Sequence, residues 1–202
     1  NSTSKVFYKD EFYLCSCCCG IFRPKEKLLD NEKEKQRYES HTNDSDDLGY
    51  QNFVLPITSS ILKEYKKDDL GLDFGCGKDS PIVKVLRKKE YKILEYDPYF
   101  YDDKKLLEQK YDYIACCEVI EHFYNPKKEF KLLKKLLKDD GTLYLMTGIY
   151  YTNIDFSKWW YKNDLTHVFI FKEKTFEWIK NEFDFKNMKI EKNFVRFSNR
   201  KD

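Results

Sequence analysis

The sequence predicts an α/β fold of the Rossmann-like class: a mostly parallel twisted sheet with helices on both faces, a closing antiparallel strand and a small N-terminal extension. Three observations predict it. The segment 70–81, LGLDFGCGKDSP, passes from an apolar stretch through a glycine turn into a helix start. Apolar stretches at 91–96, 113–117 and 141–150 alternate with amphipathic helical patterns, which is typical of parallel strands joined by helices. The tail 188–199 has the pattern of one or two closing strands.

The chain length suits one such domain plus an extension, which we place at 50–202 and 1–49. The net charge of +2 argues against a dedicated nucleic-acid binder, and no apolar run reaches the roughly 18 residues of a membrane span. The seven cysteines are an odd number, so a disulfide framework is not expected. We therefore predict a cytoplasmic protein with neither a membrane nor a nucleic-acid partner.

The extension carries a Cys-x-x-Cys pair, Cys15 and Cys18, with Cys17 and Cys19 beside it. Two strands around such a turn resemble half of a zinc ribbon, but a structural zinc site takes four ligands. No second pair follows, and one could precede Asn1, because the chain does not start with Met. We predict free thiols and no zinc in this chain, with a half zinc site at Cys15 and Cys18 as the alternative.

The polar stretch 24–50 contains three conspicuous rings, those of Tyr38, His41 and Tyr50. The stretch could be an exposed linker. It could also be a lid over a site in the following domain, with Tyr38 and Tyr50 as lid residues.

The remaining elements follow from apolar spacing, caps and breakers. We expect helices at 26–39 and 51–67, helices that begin at Pro81 and Pro126, a helix at 175–183, a turn at 43–49, and a stub of a third strand at 106–107. The sequence Asp139-Asp140-Gly141 is expected to end the helix that begins at Pro126.

The glycine turn is the first candidate ligand site. Gly75 and Gly77 allow positive φ angles and let a ligand lie against bare backbone, next to a helix N-terminus capped by Ser80. Ser80 occupies the third glycine position, so this is not the dinucleotide fingerprint. Asp73 precedes the turn, where a buried carboxylate needs a partner, and a ligand that carries a cation is one such partner.

Acids also follow the next two strands. Asp97 ends the second strand, 22 residues after Gly75, where a carboxylate can accept hydrogen bonds from ribose hydroxyls; the alternative is a simple Asp-Pro turn. Glu118, Glu121 and His122 emerge where the strand 113–117 ends. For His122 a helix-capping role and a site role stay equally open. In the insertion 150–166, Trp159, Trp160 and Tyr161 could line a substrate pocket or simply pack.

This order of motifs resembles the class I S-adenosylmethionine-dependent methyltransferases over residues 50–198, and the EVIEHF segment is most similar to their ubiquinone and menaquinone methyltransferase-like branch. The extension resembles an appendage of some bacterial members. The resemblance implies S-adenosylmethionine as cofactor, S-adenosylhomocysteine as product, and direct in-line methyl transfer to a small molecule. It implies cofactor contacts from the ammonium to the adenine at Asp73, Gly75, Cys76, Gly77, Asp97, Pro98 or Tyr99, Cys117, Glu118 and His122. The segment 106–109, which would contact the adenine amine, is short.

A catalytic base is needed only if the acceptor must lose a proton. The chain has three histidines, and we favour His167 or His41 for this role; the alternative is that all three are structural. Other functions stay open at this point. They are an RNA or protein methyltransferase, an NAD-dependent oxidoreductase, which Asp73 and Ser80 disfavour, and a non-catalytic cofactor-binding module.

Overall fold

The computed structural model describes residues 4–39 and 44–200. Its strands are β1 (Lys5–Tyr8), β2 (Phe12–Leu14), β3 (Ile21–Phe22), β4 (Leu70–Phe74), β5 (Lys92–Tyr96), β6 (Tyr111–Cys117), β7 (Leu137–Met146), β8 (Phe169–Ile170), β9 (Asn187–Glu191) and β10 (Phe194–Ser198). Its helices are α1 (Asn31–Glu39), α2 (Leu48–Phe53), α3 (Leu55–Glu64), α4 (Pro81–Lys88), α5 (Pro126–Leu136) and α6 (Glu173–Glu182). Short 3₁₀ helices lie at Lys25–Lys27, Lys104–Leu107, Ile120–His122 and Trp160–Asn163.

The central sheet has six strands in the order β5-β4-β6-β7-β10-β9. The first four are parallel, β10 is antiparallel to β7, and β9 and β10 form an antiparallel hairpin that turns at Lys192 and Asn193. This arrangement confirms the predicted fold class. No helix in the described ranges combines the length and apolar character needed to cross a lipid bilayer.

Successive residues of β6 show how the sheet forms two cores. Tyr113 and Ala115 face a layer made by α3 and α4, whereas Ile114 and Cys116 face a layer made by α5 and α6. All four side chains are fully buried. Because side chains alternate across a strand, a strand buried on both faces is apolar throughout, which is why this stretch could be recognised in the sequence.

Helix starts follow the predicted caps. Ser80 Oγ accepts the Val83 N–H at 3.2 Å, Asn125 Oδ1 accepts the Lys128 N–H at 3.1 Å, and a proline follows each cap. At the start of each helix, the side chain of the cap residue therefore accepts a hydrogen bond from one of the free backbone N–H groups. The proline that follows has no N–H group that would need a partner.

Several boundaries were predicted wrongly. Helix α5 ends at Leu136, and 138–141 form an irregularity in the pairing of β7 with β6, so Asp139-Asp140-Gly141 does not end the helix. The predicted third strand is the 3₁₀ helix Lys104–Leu107, which begins where Asp103 accepts the Lys105 N–H. The predicted helix 26–39 begins only at α1, 51–67 is divided between α2 and α3, and the predicted turn 43–49 runs into α2.

A second sheet, in the order β1-β2-β3-β8, joins the extension to the domain. Strand β8 follows the aromatic insertion in the chain and pairs with β3 through Ile170 to Ile21 and Phe169 to Phe22. Arg23 lies buried beside this pairing and donates hydrogen bonds to the backbone oxygens of His167 (3.2 Å) and Lys162 (2.6 Å). The boundary at residue 49/50 stays a prediction.

Candidate active site

Three loops meet at the carboxyl ends of β4, β5 and β6, the edge at which open α/β sheets bind ligands. The first is the glycine turn, in which Gly75 has φ +78° and Gly77 has φ +67°. The Gly75 N–H donates to the Tyr96 oxygen at 2.7 Å, which ties the turn to the end of β5. A Cβ on Gly75 would lie 2.6 Å from Val119, so both the conformation and the space require glycine here.

Asp73 is almost fully buried at the end of β4 and has a partner within the protein. The Ser80 hydroxyl donates to Asp73 Oδ2 at 2.5 Å, so the residue that caps α4 also binds the carboxylate. Burial nevertheless raises the pKa of Asp73 to about 7. A cationic ligand is therefore not needed to explain the buried acid, although it would still stabilise the charged form.

Asp97 connects two loops. Its Oδ2 accepts the Gly77 N–H at 3.0 Å, and its Oδ1 accepts the N–H groups of Tyr99 and Phe100 at 2.8 and 3.2 Å. A carboxylate offers about four acceptor positions. One position is thus left, which suits one of the ribose hydroxyls in the prediction, and Pro98 lies within the same turn.

Helix α1 covers part of this edge. The Tyr38 ring lies 5.3 Å from the Tyr99 ring and 5.4 Å from the His122 ring, and its hydroxyl donates to Glu34 at 2.8 Å. Burial, followed by the charges of Cys117 and Asp73, raises the pKa of Tyr50. Both predicted lid residues therefore lie close to predicted cofactor-binding residues. The third ring of that stretch, His41, lies outside the described residues.

The thiols and Glu118 are the remaining predicted cofactor contacts of this edge. Burial raises the pKa values of the Cys76 and Cys117 thiols, so both are neutral at pH 7. Glu118 has φ +53° directly after β6, and its N–H donates to the Met146 oxygen at 2.8 Å. Burial, and then the neighbouring Glu121, raises the pKa of Glu118 well above its usual range.

Behind Glu118 lies a group that we call the polar cluster: Glu121, His122, Thr147, Tyr161 and His167. Glu121 is fully buried, and its two oxygens accept hydrogen bonds from the hydroxyls of Tyr161 (2.6 Å) and Thr147 (2.9 Å). The rings of His122 and His167 are 5.0 Å apart. One potential ligand atom from each of Glu121, His122 and His167 lies within 4.8 Å of those of the other two, so these three side chains could hold a metal ion.

The structure thus brings together histidines that the sequence analysis treated separately. The His122 ring lies 5.4 Å from the Tyr38 ring, and the choice between a capping role and a site role for His122 stays a prediction. Burial lowers the pKa of His167. Tyr161 is buried in the polar cluster, whereas Trp160 is largely exposed. Thr147 was missed, since a threonine after an apolar strand gives no signal of its own. The spacing Glu-x-x-Glu-His was the available signal for Glu121.

The cysteine hairpin lies in the second sheet. Burial raises the pKa of the Cys18 thiol, and the adjacent Cys15 raises it further, so these two sulfur atoms are neighbours. Within the described ranges no third ligand joins them. The half zinc site stays a prediction.

Comparisons with known proteins agree with this architecture. A family model described as a methyltransferase domain matches residues 49–190. No curated protein matches the sequence significantly.

Three similar solved structures are all methyltransferases. The Burkholderia thailandensis 1,6-didemethyltoxoflavin-N1-methyltransferase, with bound 1,6-didemethyltoxoflavin and S-adenosylhomocysteine, has a TM-score of 0.57 at 11% identity, over 89% of this chain and 94% of that one. The Synechocystis PCC 6803 magnesium protoporphyrin IX methyltransferase, with bound S-adenosylhomocysteine, has a TM-score of 0.51 at 15% identity, over 86% of this chain and 97% of that one. An O-methyltransferase family protein from B. thailandensis has a TM-score of 0.53 at 10% identity, over 82% of this chain but only 61% of that one.

These identities are too low to carry more than the fold, and the narrower resemblance to the ubiquinone and menaquinone branch stays a prediction. The family model covers more than half of the chain. The chain therefore belongs to the methyltransferase domain family.

Proposed function

We propose that this protein is an S-adenosylmethionine-dependent methyltransferase that transfers a methyl group in line to a small-molecule acceptor. The observation that carries the proposal is the meeting of Asp73, the glycine turn, Asp97 and Glu118 at adjacent strand ends beneath the Tyr38 ring. The cofactor's charge favours this site, because its sulfonium and ammonium groups are cationic, whereas the pyrophosphate of NAD would be repelled by the same acids.

Each part of the cofactor has a matching group in this chain. Asp73 and Glu118 are buried acids that a cation would stabilise, and Asp97 has one acceptor position left for a ribose hydroxyl. The Tyr99 ring or Pro98, which follow Asp97 directly, would flank the adenine. Bound S-adenosylmethionine supplies the methyl group, and these residues hold and orient it while the lid excludes water.

Aromatic residues of the insertion support a small acceptor: Trp159 stacks on buried Tyr161 at 5.1 Å, beside the polar cluster. The 1,6-didemethyltoxoflavin bound to the B. thailandensis enzyme supports the same class by analogy. His167 and His41 remain our candidates for a base, and burial, which lowers the pKa of His167, keeps its imidazole neutral at pH 7. The odd number of cysteines, three of them in β6 and the glycine turn, supports a reducing cytoplasm as the location.

Thermal unfolding tests the cofactor. S-adenosylhomocysteine at roughly 100 times its dissociation constant adds about 2.7 kcal/mol, which corresponds to a rise of roughly 5–10 °C in a chain of this size. We expect this rise for the wild type and for the control Asp139→Ala, an exposed acid in β7. We expect it to be lost in Asp97→Ala, because the ribose acceptor and the link to Gly77 both disappear.

A rise with NAD, or no rise with S-adenosylmethionine and S-adenosylhomocysteine, would contradict the proposal. Cofactor binding without methyl transfer to any acceptor would favour a non-catalytic module. Transfer to RNA or protein substrates would move the acceptor to another class.

A further inference from the structure

Glu121, His122 and His167 leave electron pairs that no hydrogen bond of the described residues uses. The carbonyl oxygens of Thr166 and Tyr161 lie 2.9 and 2.8 Å from the Nδ1 atoms of His122 and His167. A carbonyl can only accept, so each Nδ1 carries its proton and donates. The lone pair of each imidazole therefore lies on Nε2.

The same holds for the carboxylate. Tyr161 and Thr147 each donate one hydrogen bond to a Glu121 oxygen, and the carboxyl group of Glu118 is hydrogen-bonded to the same side chain. A carboxylate offers about four acceptor positions, so about one lone pair of Glu121 stays unused. Among the described side chains, no hydrogen bond joins Glu121 to either imidazole. Two imidazole nitrogens that accept no hydrogen bond from a described side chain thus converge with a carboxylate that keeps an unused lone pair, an arrangement that a cation stabilises.

We propose that Glu121, His122 and His167 bind one divalent transition-metal ion, with the ligand atoms Nε2, Nε2 and one carboxylate oxygen. Two imidazoles and a carboxylate suit ions such as Mn²⁺, Fe²⁺, Co²⁺ or Zn²⁺ and leave coordination positions open. The hydrogen bonds behind the ligands are those typical of metal sites, in which each histidine donates its other N–H to a backbone oxygen and the carboxylate is itself hydrogen-bonded. One potential ligand atom of each of the three side chains lies within 4.8 Å of those of the other two. These side chains would close in around the ion, since metal–ligand bonds are about 2.1 Å long.

The position of the site indicates what the metal does. Glu121 and His122 lie three and four residues after Glu118, a proposed cofactor contact. Tyr161, which donates to Glu121, belongs to the insertion on the proposed acceptor side. The ion would therefore lie between cofactor and acceptor, and its open positions suit an acceptor hydroxyl or phenol oxygen. This role of the ion in methyl transfer rests on the proposed function. In it, His167 is a metal ligand and not the catalytic base.

The transfer balances without a further reagent. The metal-bound hydroxyl loses its proton to water, because coordination lowers the pKa of an O–H group. The oxygen then forms a bond to the methyl carbon while the carbon–sulfur bond breaks. The electron pair of that bond stays on sulfur, and the sulfonium becomes the neutral thioether.

Mn²⁺ binding to the full chain, stripped with EDTA and dialysed, tests the site by calorimetry and by electron paramagnetic resonance. Mn²⁺ prefers nitrogen and oxygen ligands, so the cysteine hairpin does not compete. We expect one Mn²⁺ per chain, at least tenfold weaker binding in Glu121→Gln and His167→Asn, and unchanged binding in Cys15→Ser/Cys18→Ser and in Glu177→Gln, an exposed acid of α6.

The variant Tyr161→Phe guards against misfolding of the buried substitutions. It keeps the packed ring and removes only the hydroxyl that orients Glu121, so we expect a stable protein with about tenfold weaker Mn²⁺ binding. No Mn²⁺ binding by the wild type, or equal binding by all variants, would overturn the proposal. Stabilisation by S-adenosylhomocysteine is measured separately in EDTA: if it survives without Mn²⁺ binding, the metal site fails alone, and if it is absent while Mn²⁺ binds, the cofactor proposal fails alone.

Discussion

Asp73 and Ser80 form a hydrogen-bonded pair at the start of α4, in surroundings that favour a neutral carboxyl. The sequence indicated both residues, one as an acid before the turn and the other as a cap. It could not indicate the hydrogen bond between them, because apolar spacing does not tell which helix-cap side chain contacts which strand residue. The charge of Asp73 thus costs folding free energy that a bound cation would offset.

This cost predicts a pH dependence for Asp73→Asn. Burial raises the pKa of Asp73 from about 3.9 in the unfolded chain to about 7. Between these values the native state holds a proton that the unfolded state has lost, so this group lowers stability as pH rises. Asparagine can still accept from Ser80 and cannot ionise. We expect Asp73→Asn to gain on the order of 1–4 kcal/mol relative to the wild type between pH 4 and pH 8.

Urea unfolding at both pH values measures this gain. Ser60→Ala, in α3, serves as a control that removes a polar group without an ionisable one. A difference between Asp73→Asn and the wild type that stays constant with pH would contradict the expected role of the carboxylate.

Helix α1 is the element on which the proposed lid depends. Its existence was predictable, but its position over Tyr99 and His122 was not, since these contacts join residues about 60 and 84 apart in sequence. The same limit applies to His122 and His167, whose contact depends on the fold of the insertion between them. The strands, by contrast, were predictable because burial on both faces leaves an uninterrupted apolar stretch.

We expect the Tyr38 ring, more than its hydroxyl, to retain the cofactor. Tyr38→Ala removes the ring from Tyr99 and His122 and should weaken S-adenosylhomocysteine binding about tenfold, because a lost aromatic contact costs roughly 1–1.5 kcal/mol. Tyr38→Phe keeps the ring but loses the hydrogen bond to Glu34, and it should bind nearly as the wild type does. Calorimetry distinguishes the two. If both variants lost the same amount of binding affinity, the effect would belong to the hydroxyl. If neither variant lost affinity, the result would argue against a lid.

The whole molecule is held together by β8, which completes the second sheet and follows directly from the polar cluster. A boundary at residue 49 can be drawn from composition alone, since the extension is polar and rich in cysteine. Composition does not reveal a strand contributed from residue 169 onward. We therefore expect the extension and the domain to unfold together.

Arg23→Met tests this coupling. It removes two charged hydrogen bonds to the backbone at His167 and Lys162, which should cost about 2–3 kcal/mol, while Lys25→Met, an exposed neighbour, should change little. Tryptophan fluorescence and far-ultraviolet circular dichroism should follow one coincident urea transition in the wild type and both variants. Two separate transitions would instead identify the extension as an independent unit.

The edge strand β5 has a consequence for how copies of the protein behave in a crowded solution. A sheet edge with unpaired backbone oxygens can recruit a strand from another molecule and start aggregation. Here the oxygen of Ile93, which faces away from β4, already accepts a hydrogen bond from Arg87. Ion pairs of Lys92 and Glu95 add charge along the same strand. Strand addition at this edge would have to displace the Arg87 hydrogen bond, which protects the folded chain against self-association there.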